Sequence, residues 1–458
     1  MIENDAFKLL LINLFHLNPD DITNIVCTTF NKMMVLLVTL ADKHQACPYC
    51  GFTAPKIKEY VTKEITHSAL TTQKCIIKYR ARRYKCPCCG KTYYEFNPFV
   101  FKSQKISILT VHNILKDLKD FNETFTSVAR RYHVSPTSVS TIFDNHVDIG
   151  RNPLPEIINF DEVYAFKSEK SKYVCVLLDF KKQIPVDVLP NRKKEYLLNY
   201  FQKIPLEERK KVKYACSDMY EVYRDVVHKV FPCSCMLLDY FHLSQDFHRK
   251  MNEVRIKVMK GYKDDKTSDE YYLLKKFNWL LFKNPEDEDK YGRLFDVERE
   301  RKYNSHFKSY MNYYDLRRKL LEINNDLTIC YSLKLELVDF YSKSTIDNAK
   351  VNLEILIRSF IDTNIEEMIA FSNNLINWKQ EIINSFTIVG TEYKVEADKG
   401  QVVVCNKKVN NAIIENRNKI IKCIKNNANG YTNWSRFRNR VMYVLDPNTT
   451  FSLEPREK

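Results

Sequence analysis

The order of apolar segments between residues 157 and 243 constrains the fold more than any other feature of the chain. Three short apolar runs are separated by polar turns, which is the pattern of an antiparallel meander: IINFDEV, YVCVLLDF and IPVDVL. Helical and strand patterns then alternate through KKEYLLNYFQKI, VKYACSDM, YEVYRDVVHKVF and CSCMLLDYFHL. The sequence therefore predicts an α/β domain with the order strand, strand, strand, helix, strand, helix, strand.

This order is that of a ribonuclease-H-like core, in which the first and fourth strands are neighbours. Asp161 lies at the end of the first predicted strand, and Asp218 at the end of the fourth. We therefore expect the two carboxylates to lie side by side. Each of them could instead cap the turn after its strand, and Glu162 is a second candidate beside Asp161.

A third acid, Glu415, lies in the segment from Ile413 to Val441. Ile413, Ile420 and Ile424 recur at helical spacing, so one face of the predicted helix is apolar. The opposite face is expected to carry Glu415, Asn418, Lys419, Lys422 and Lys425. A single acid among amides and lysines is consistent with a metal ligand that faces a phosphate backbone, or with an ordinary surface ion pair. Further along, Trp434 and Phe437 are expected in the core, with Arg436, Arg438 and Arg440 directed toward DNA or solvent.

Two Cys-x-x-Cys-Gly motifs predict a zinc site near the N-terminus. They are Cys47-Pro-Tyr-Cys50-Gly and Cys86-Pro-Cys-Cys89-Gly. Each turn lets two thiolates converge on one ion, the glycine supplies left-handed backbone, and two such turns complete a tetrahedral site. The residues between the motifs alternate as strands do, which indicates a zinc ribbon. The open alternatives are buried cysteines without metal, and ligation by Cys75 or His67, with Cys88 left over.

The segment SVARRYHVSPTSVSTIFDN, residues 127–145, predicts a helix-turn-helix. Phe125, Val128, Ala129 and Tyr132 share one helical face, and Val139, Ile142 and Phe143 are expected to pack against it. Ser135 is the predicted N-cap, followed by Pro136 at the first helical position. Thr137, Ser138, Ser140 and Thr141 would then face a major groove. A plain helical hairpin is the alternative.

Charge and composition favour a polyanionic partner. The formal net charge is +15, and residues 56–110 hold twelve Lys or Arg against three Asp or Glu. Such a local excess fits double-stranded DNA, or else a solvated basic surface. The chain has no apolar run long enough to span a membrane and no secretory leader, and its 14 cysteines indicate thiols and metal ligands. We therefore expect a cytosolic protein that does not insert into a membrane.

The chain is expected to form five regions. Residues 251–395 are dense in Leu, Ile, Tyr, Lys and Glu with few glycines, which predicts a helical insertion into the core. The regions are 1–100 with the zinc ribbon, 101–150 with the helix-turn-helix, 151–250 as the first part of the ribonuclease-H-like core, 251–395 as the helical insertion, and 396–458 as the C-terminal part of the core with the Glu415 helix.

In this order and spacing the segments resemble the ISL-three type insertion-sequence transposases, a family of bacterial Asp-Asp-Glu enzymes. The resemblance covers nearly the whole chain. It includes CPYCG, RRYKCPCCG, SVARRYHVSPTSVS, NFDEV, SDMYEVY, FPCSCMLLDYFHL, MNEVR, WKQEIINSF and the Glu415 segment. It implies that Asp161, Asp218 and Glu415 are the catalytic acids, that Asp239 and His242 form an accessory motif, and that Arg192 occupies a basic position common in the family.

The chemistry implied by the resemblance is metal-dependent cleavage and strand transfer of DNA. Two Mg²⁺ (or Mn²⁺) ions held by Asp161, Asp218 and Glu415 would stabilise both the attacking and the leaving oxygen. The expected partners are the terminal inverted repeats of the element and target DNA, bound by a homodimer in the cytoplasm at the nucleoid. The predicted DNA-binding residues are Arg82, Arg83, Thr137, Ser138, Thr141, Arg192, Lys419, Lys422 and Lys425.

Two other functions remain open at this stage. A non-catalytic, repressor-like DNA-binding protein derived from a transposase is suggested by the residues around Glu415, VNNAIIENRN, and by Lys425-Asn426, which depart from the usual family pattern. A structure-selective nuclease built on the same core is the third hypothesis. Metal-dependent nicking would argue against the repressor, and the joining of DNA ends would distinguish a transposase from a nuclease.

Overall fold

The structure is a computed structural model, and it describes residues 2–43, 46–70, 72–101, 104–166, 171–395 and 402–456. The N-terminal region is a helix packed on a five-stranded sheet. Its elements are α1 (Ile2–Leu14), β1 (Ile22–Phe30), β2 (Met33–Leu40), β3 (Lys56–Thr66), β4 (Cys75–Lys85) and β5 (Thr92–Tyr94). The strand order is β1-β2-β4-β3, with β5 beside β4, and only the β2–β4 pair is parallel. Leu11, Ile12 and Phe15 cover the apolar face of this sheet.

Three short helices follow, namely α2 (Ile108–Asp117), α3 (Phe125–Arg131) and α4 (Pro136–His146). The predicted inner faces are buried, since Val128, Val139 and Phe143 have no exposed surface. Ser135 caps α4 by accepting a hydrogen bond from the Ser138 amide, and Pro136 is its first residue, as predicted. The turn between α3 and α4 contains His133 with a φ of 55°, which reverses the chain within a few residues.

The central sheet has five strands: β6 (Ile157–Val163), β7 (Val174–Asp179), β8 (Pro185–Leu189), β9 (Tyr214–Ser217) and β10 (Cys235–Leu238). Their order is β10-β9-β6-β7-β8. The pairs β6–β7 and β7–β8 are antiparallel, so the predicted meander is confirmed. The pairs β6–β9 and β9–β10 are parallel, and the predicted first and fourth strands are therefore neighbours.

Helices cover both faces of the central sheet. One face packs against α5 (Lys194–Gln202) and α7 (Glu221–Val230), and the short α6 (Leu206–Arg209) lies between them in sequence. The other face packs against α15 (Ala412–Asn427) and α16 (Trp434–Leu445), and the same apolar cluster includes residues of α2, α3 and α4. Every residue of β7 and β8 is buried, as expected for strands covered on both sides.

The region between β10 and residue 388 is mainly helical, as predicted. It contains α8 (Tyr240–Lys260), α9 (Asp269–Lys276), α10 (Tyr313–Glu322), α11 (Asn325–Lys343), α12 (Ala349–Ile361), α13 (Glu366–Asn377) and α14 (Lys379–Asn384). A 3-10 helix spans Asn278–Phe282. The predicted boundary at residues 250/251 falls inside α8, because this helix runs continuously from the end of β10 into the insertion.

Two small hairpins interrupt the helices, a feature that the sequence pattern did not predict. They pair β11 (Glu288–Asp289) with β12 (Gly292–Arg293), and β13 (Lys302–Asn304) with β14 (Ser309–Met311). Strands of two or three mostly exposed residues are too short to produce an alternating apolar pattern. A third hairpin pairs β15 (Ile388–Val395) with β16 (Val402–Lys408) and leads into α15. Residues 396–401, between these two strands, lie outside the described residues.

The three arginines of α16 are held within the chain, which corrects their predicted direction. Arg440 is 1% exposed, and its Nη2 donates to the carbonyls of Asp120 and Glu123. Arg436 pairs with Asp144, and Arg438 pairs with Asp187. These contacts fasten α16 to the loop before α3 and to the central sheet. The core positions of Phe437 and Trp434 agree with the prediction, Phe437 being fully buried and Trp434 partly so.

Candidate active site and zinc site

The central sheet brings Asp161 and Asp218 to the same region. Asp161 lies within β6, and Asp218 directly follows β9. The parallel register pairs Asn159 with Cys216, and two residues further along each chain come Asp161 and Asp218. The charge of Asp218 contributes to raising the pKa of Asp161. The two acids therefore lie on neighbouring strands, at equivalent positions of the register.

Glu415 joins a second group of ligands beside this pair. Asp239 directly follows β10, His242 lies in the first turn of α8, and Glu415 lies in the first turn of α15. One ligand atom from each of the three lies within 4.8 Å of the others. His242 Nδ1 is 3.1 Å from Asp239 Oδ2, and the charge of His242 interacts with both Asp161 and Asp218. His242 therefore interacts with both groups: it pairs with Asp239, and its charge acts on Asp161 and Asp218.

Asn418 connects the Glu415 helix to Asp161. Its side-chain amide donates to Asp161 Oδ2 at 2.7 Å, and the residue is 5% exposed. The prediction that Asn418 shares an exposed face with the lysines of α15 is wrong, because Asn418 is buried. Its spacing of three residues from Glu415 is the signal that could have identified it, because residues three apart share one side of a helix.

A pair of asparagines, Asn159 and Asn411, fixes the start of the same helix. Asn159 Nδ2 donates to Asn411 Oδ1 at 2.7 Å and to the Asn410 carbonyl at 2.8 Å. Asn411, the residue before α15, donates in turn to the Phe160 carbonyl. Both side chains are fully buried. Since buried amides are stable only when hydrogen-bonded, this pairing defines where α15 begins relative to β6.

The two core acids hold their protons unusually tightly. Burial is the main cause that raises the pKa of Asp161 to about 7, and the charge of Asp218 adds to it. Burial also raises the pKa of Asp218 to about 6, with a contribution from Glu162. Asp218 Oδ1 is buried and has no hydrogen-bond partner among the residues that the structure describes. Clustered carboxylates of this kind are stabilised by a bound cation.

The donor set fits a divalent metal. Carboxylate oxygens are the ligands that Mg²⁺ and Mn²⁺ prefer. Asp218 Oδ1 accepts no hydrogen bond in the described part of the chain, so it is available to a metal ion. The hydrogen bond to Asp239 raises the pKa of His242, so this imidazole is protonated more readily than usual. The residues that could hold metal are Asp161, Asp218, Asp239, His242 and Glu415.

Several predicted DNA-binding side chains make contacts within the protein. Arg82 pairs with Glu95 and donates to the carbonyls of Leu40 and Ala41. Arg83 pairs with Glu59, and Arg192 pairs with Glu162 while its guanidinium lies 4.6 Å from the centre of the Tyr173 ring. Because its guanidinium is held by these contacts, Arg82 stabilises the ribbon, and we propose no DNA contact for it.

The other predicted DNA contacts are more accessible. Thr137 and Thr141 are exposed on α4, whereas the Ser138 hydroxyl lies 2.8 Å from that of the N-cap Ser135. Lys419 and Lys422 are exposed on α15. Lys425 Nζ lies 4.9 Å from the centre of the Tyr164 ring. The side chains of Thr137, Thr141, Lys419 and Lys422 are therefore accessible to a ligand at the surface.

The four predicted zinc ligands converge in the N-terminal region. Sγ of Cys47 is 3.7 Å from that of Cys89, and Sγ of Cys50 is 3.5 Å from that of Cys86. Four sulfurs at a bond length of about 2.3 Å around a tetrahedral zinc are about 3.8 Å apart, so the spacing fits. Gly51 and Gly90 have φ values of 74° and 71°, as the two turns require.

The alternative zinc ligands lie elsewhere. Cys75 is fully buried in the core of the N-terminal sheet, and burial raises the pKa of its thiol to about 12. His67 is buried, and its two ring nitrogens contact the Ser107 hydroxyl and the Phe15 carbonyl. Cys88 is exposed and does not belong to the four-sulfur cluster. The arrangement is compatible with a structural zinc held by Cys47, Cys50, Cys86 and Cys89.

Comparisons with known proteins agree on one family. A family described as Transposase, of the ISL-three type with Asp-Asp-Glu catalysis, matches residues 158–397, so Glu415 lies beyond the matched range. The chain is also similar to the "Transposase for insertion sequence element IS1001" of Bordetella parapertussis, with 20% identity over 251 residues. That similarity covers 54% of this chain and 61% of the relative's length. No helix in the described ranges is both long enough and apolar enough to cross a membrane.

Proposed function

We propose that this chain, which belongs to the ISL-three type transposase family, is an active DNA transposase with a ribonuclease-H-like catalytic core. The observation that carries the proposal is a set of acids from neighbouring strands: Asp161 and Asp218 interact with His242, and His242 lies with Asp239 and Glu415. Such a group is costly for a fold to maintain without a cation, because burial and repulsion raise the pKa of Asp161 and Asp218. A divalent metal centre explains why it exists.

Asp161, Asp218 and Glu415 are proposed to hold the metal ions, with Asp239 and His242 next to them. Bound divalent ions supply charge stabilisation for an attacking water or 3′-hydroxyl and for the leaving oxygen. Asn418 donates to Asp161 Oδ2 and the Glu162 amide donates to Asp161 Oδ1, so two hydrogen bonds orient the Asp161 carboxylate. His242, held by Asp239, is suited to contact the DNA phosphate or to hold a proton.

Two successive reactions are proposed at this site. In the first, water attacks the phosphorus at the end of the element, the bond to the 3′-oxygen breaks, and a free 3′-hydroxyl and a 5′-phosphate result. In the second, that 3′-hydroxyl attacks a phosphorus of target DNA, and the target 3′-oxygen leaves. Neither step consumes an external energy source. In each step the attacking oxygen, from water or from the 3′-hydroxyl, replaces the leaving 3′-oxygen on the phosphorus.

The N-terminal regions are proposed to recognise the DNA. The exposed Thr137 and Thr141 on α4 are available to the major groove, as in a helix-turn-helix. The excess of Lys and Arg in residues 56–110 provides attraction to phosphates. Because two ends of an element must be joined, we propose that a homodimer on DNA holds them together, with Lys419 and Lys422 facing the substrate backbone.

The direct experiment combines purified protein, Mg²⁺ and labelled duplex DNA taken from the flanks of the gene. We expect metal-dependent nicking at the element end, followed by joining to a target plasmid, and loss of both with Asp161→Asn. Cleavage by Asp161→Asn at the parent rate would exclude the proposed site. Specific DNA binding without any cleavage by the parent protein would instead support the repressor-like function, and cleavage without joining would support a nuclease.

A further inference from the structure

A cavity of about 650 Å³ opens directly beside the proposed catalytic centre. Asp239 and Glu415 belong to its wall, so the cavity and the acid cluster share two residues. The rest of its wall comes from the start of α8, the end of α11, the end of α14 and the residues between β16 and α15. Its volume lies within the roughly 300–1,000 Å³ that small-molecule sites occupy. The reaction proposed above does not by itself account for this space.

One wall of the cavity is a fixed stack of aromatic rings. The ring centres of Tyr240 and Tyr341 are 3.8 Å apart, and those of Tyr341 and Phe386 are 5.3 Å apart with an interplanar angle of 21°. Tyr240 and Tyr341 line the cavity directly. The Tyr341 hydroxyl is buried next to Ser385, another residue of the cavity wall.

A single lysine projects from the same wall. Lys408, the last residue of β16, lines the cavity, and its Nζ lies 4.5 Å from the centre of the Phe386 ring. No carboxylate of the described residues lies within ion-pair distance of it. Partial burial lowers the pKa of Lys408, since desolvation disfavours its charge. An unpaired ammonium beside an active centre for phosphodiesters is suited to a phosphate of the same strand.

Phe241 completes the cavity with an exposed aromatic face. It lines the cavity next to Tyr240 and is 51% exposed, whereas Leu243 and Phe247 of the same helix are fully buried. Its neighbour in sequence is His242 of the catalytic group. An exposed aromatic ring at the edge of a cavity offers a face on which a nucleic-acid base can stack.

From these features we propose that the cavity binds an unpaired nucleotide of the DNA strand next to the cleaved bond, with its base against Phe241 and its phosphate at Lys408. Aromatic faces bind any base by stacking, and enzymes that act on DNA take bases out of the duplex when a pocket accepts them. This inference rests on the proposed function, because it requires DNA at the acid cluster.

The test is a cycle that combines Phe241→Ala and Lys408→Gln with abasic nucleotides. Duplexes from the element end carry an abasic residue at one of the three positions on either side of the cleaved bond. With intact DNA we expect Phe241→Ala to cleave at least about fivefold more slowly than the parent, because removing an aromatic stacking partner weakens the binding of a base by about that factor or more. With an abasic residue at the position that enters the cavity, parent and variant should cleave at equal rates.

Controls separate this result from misfolding and from failure of the proposed function. Phe241→Tyr keeps a stacking ring and should restore most of the rate that Phe241→Ala loses. Tyr310→Ala removes a comparably exposed ring, 68% exposed, that does not line the cavity, and it should cleave as the parent does. Lys343→Gln is the control for Lys408→Gln, because Lys343 pairs with Asp339 on the surface. If the parent protein binds but does not cleave, the same cycle is measured as DNA affinity. A difference between parent and Phe241→Ala that persists at every abasic position, or no difference with intact DNA, overturns the proposal.

Discussion

Asn418 donates a hydrogen bond to Asp161 across 257 residues of sequence, at a distance of 2.7 Å. This contact attaches the helix that carries Glu415 to the first strand of the central sheet. It also leaves Asn418 Oδ1 buried without a partner among the described residues. Asn418 therefore controls both the position of the Glu415 helix and the orientation of the Asp161 carboxylate.

Replacing Asn418 with Asp should destabilise the metal-free protein. The substitution keeps the shape of the side chain but exchanges the donor to Asp161 for a carboxylate, which repels it. We expect the free energy of unfolding at pH 8 to fall by about 2 kcal/mol, and the loss to shrink on addition of Mg²⁺. Denaturant unfolding with and without Mg²⁺ measures both effects. Asn427→Asp, on the exposed end of the same helix, is the matched control and should change stability little.

Stability without Mg²⁺ should decline as the pH rises. The pKa values of Asp161 and Asp218 are raised to about 7 and about 6, so the folded protein binds these protons more tightly than the unfolded chain does. Their contribution is fully present below the ordinary Asp pKa of about 4 and is lost as the pH rises through 6 and 7. The Asp218→Asn variant should lose on the order of 2 kcal/mol less than the parent between pH 4 and pH 8.

The measurement is denaturant unfolding across this pH range in zinc-containing buffer without Mg²⁺. Added Mg²⁺ should restore the stability of the parent at pH 8, where the carboxylates are ionised, and have little effect at pH 5. A parent protein whose stability rises between pH 5 and pH 8 by the same amount as that of Asp218→Asn would contradict this account of the acid cluster.

Removal of one knuckle cysteine should release zinc. Cys47→Ser takes away one of four sulfurs that lie at tetrahedral spacing, and a structural zinc contributes directly to folding. We expect about one zinc per chain in the parent, little zinc in the variant, and weaker DNA binding in the variant. Cys88→Ser, two residues from Cys86 but outside the cluster, should keep its zinc. Elemental analysis of the two purified variants decides the matter, and full zinc retention in Cys47→Ser would remove the zinc assignment.

A negative charge on α4 should weaken DNA binding. Thr137 is exposed in the first turn of this helix, where it would meet a phosphate or a base edge. Thr137→Glu is expected to reduce affinity for the element end at least about tenfold, through repulsion and loss of contact. Gln380→Glu adds the same charge at an exposed position of the insertion and should leave affinity within about twofold. Titration of labelled DNA at fixed salt compares them, and equal affinities would move the DNA interface away from α4.

Much of the fold could be predicted because short-range patterns encode it. The apolar runs of β6, β7 and β8 are continuous because both faces of their sheet are covered. The N-cap Ser135, followed by Pro136, marks the start of α4 by chemistry that involves only neighbouring residues. The four cysteines are equally local, since each pair is brought together by its own tight turn.

The misassigned residues are polar side chains whose partners are distant in sequence. Arg440 reads as a surface residue, yet it is buried, because the carbonyls of Asp120 and Glu123 accept its hydrogen bonds. Asn418 reads as a surface residue, yet it is buried and donates to Asp161. The small hairpins were missed for a different reason, since strands of two or three exposed residues have no distinctive pattern.

The sequence by itself determined the strand order, the position of Asp161 and Asp218 at neighbouring strands, and the four sulfurs of the proposed zinc site. Only the tertiary structure decided that Asn418 contacts Asp161, that Glu415 lies with Asp239 and His242, and that a cavity opens beside them. Local patterns depend on the chain within a few residues. Whether a polar group is buried depends on a partner that folding supplies from far along the chain, and no periodicity records that partner.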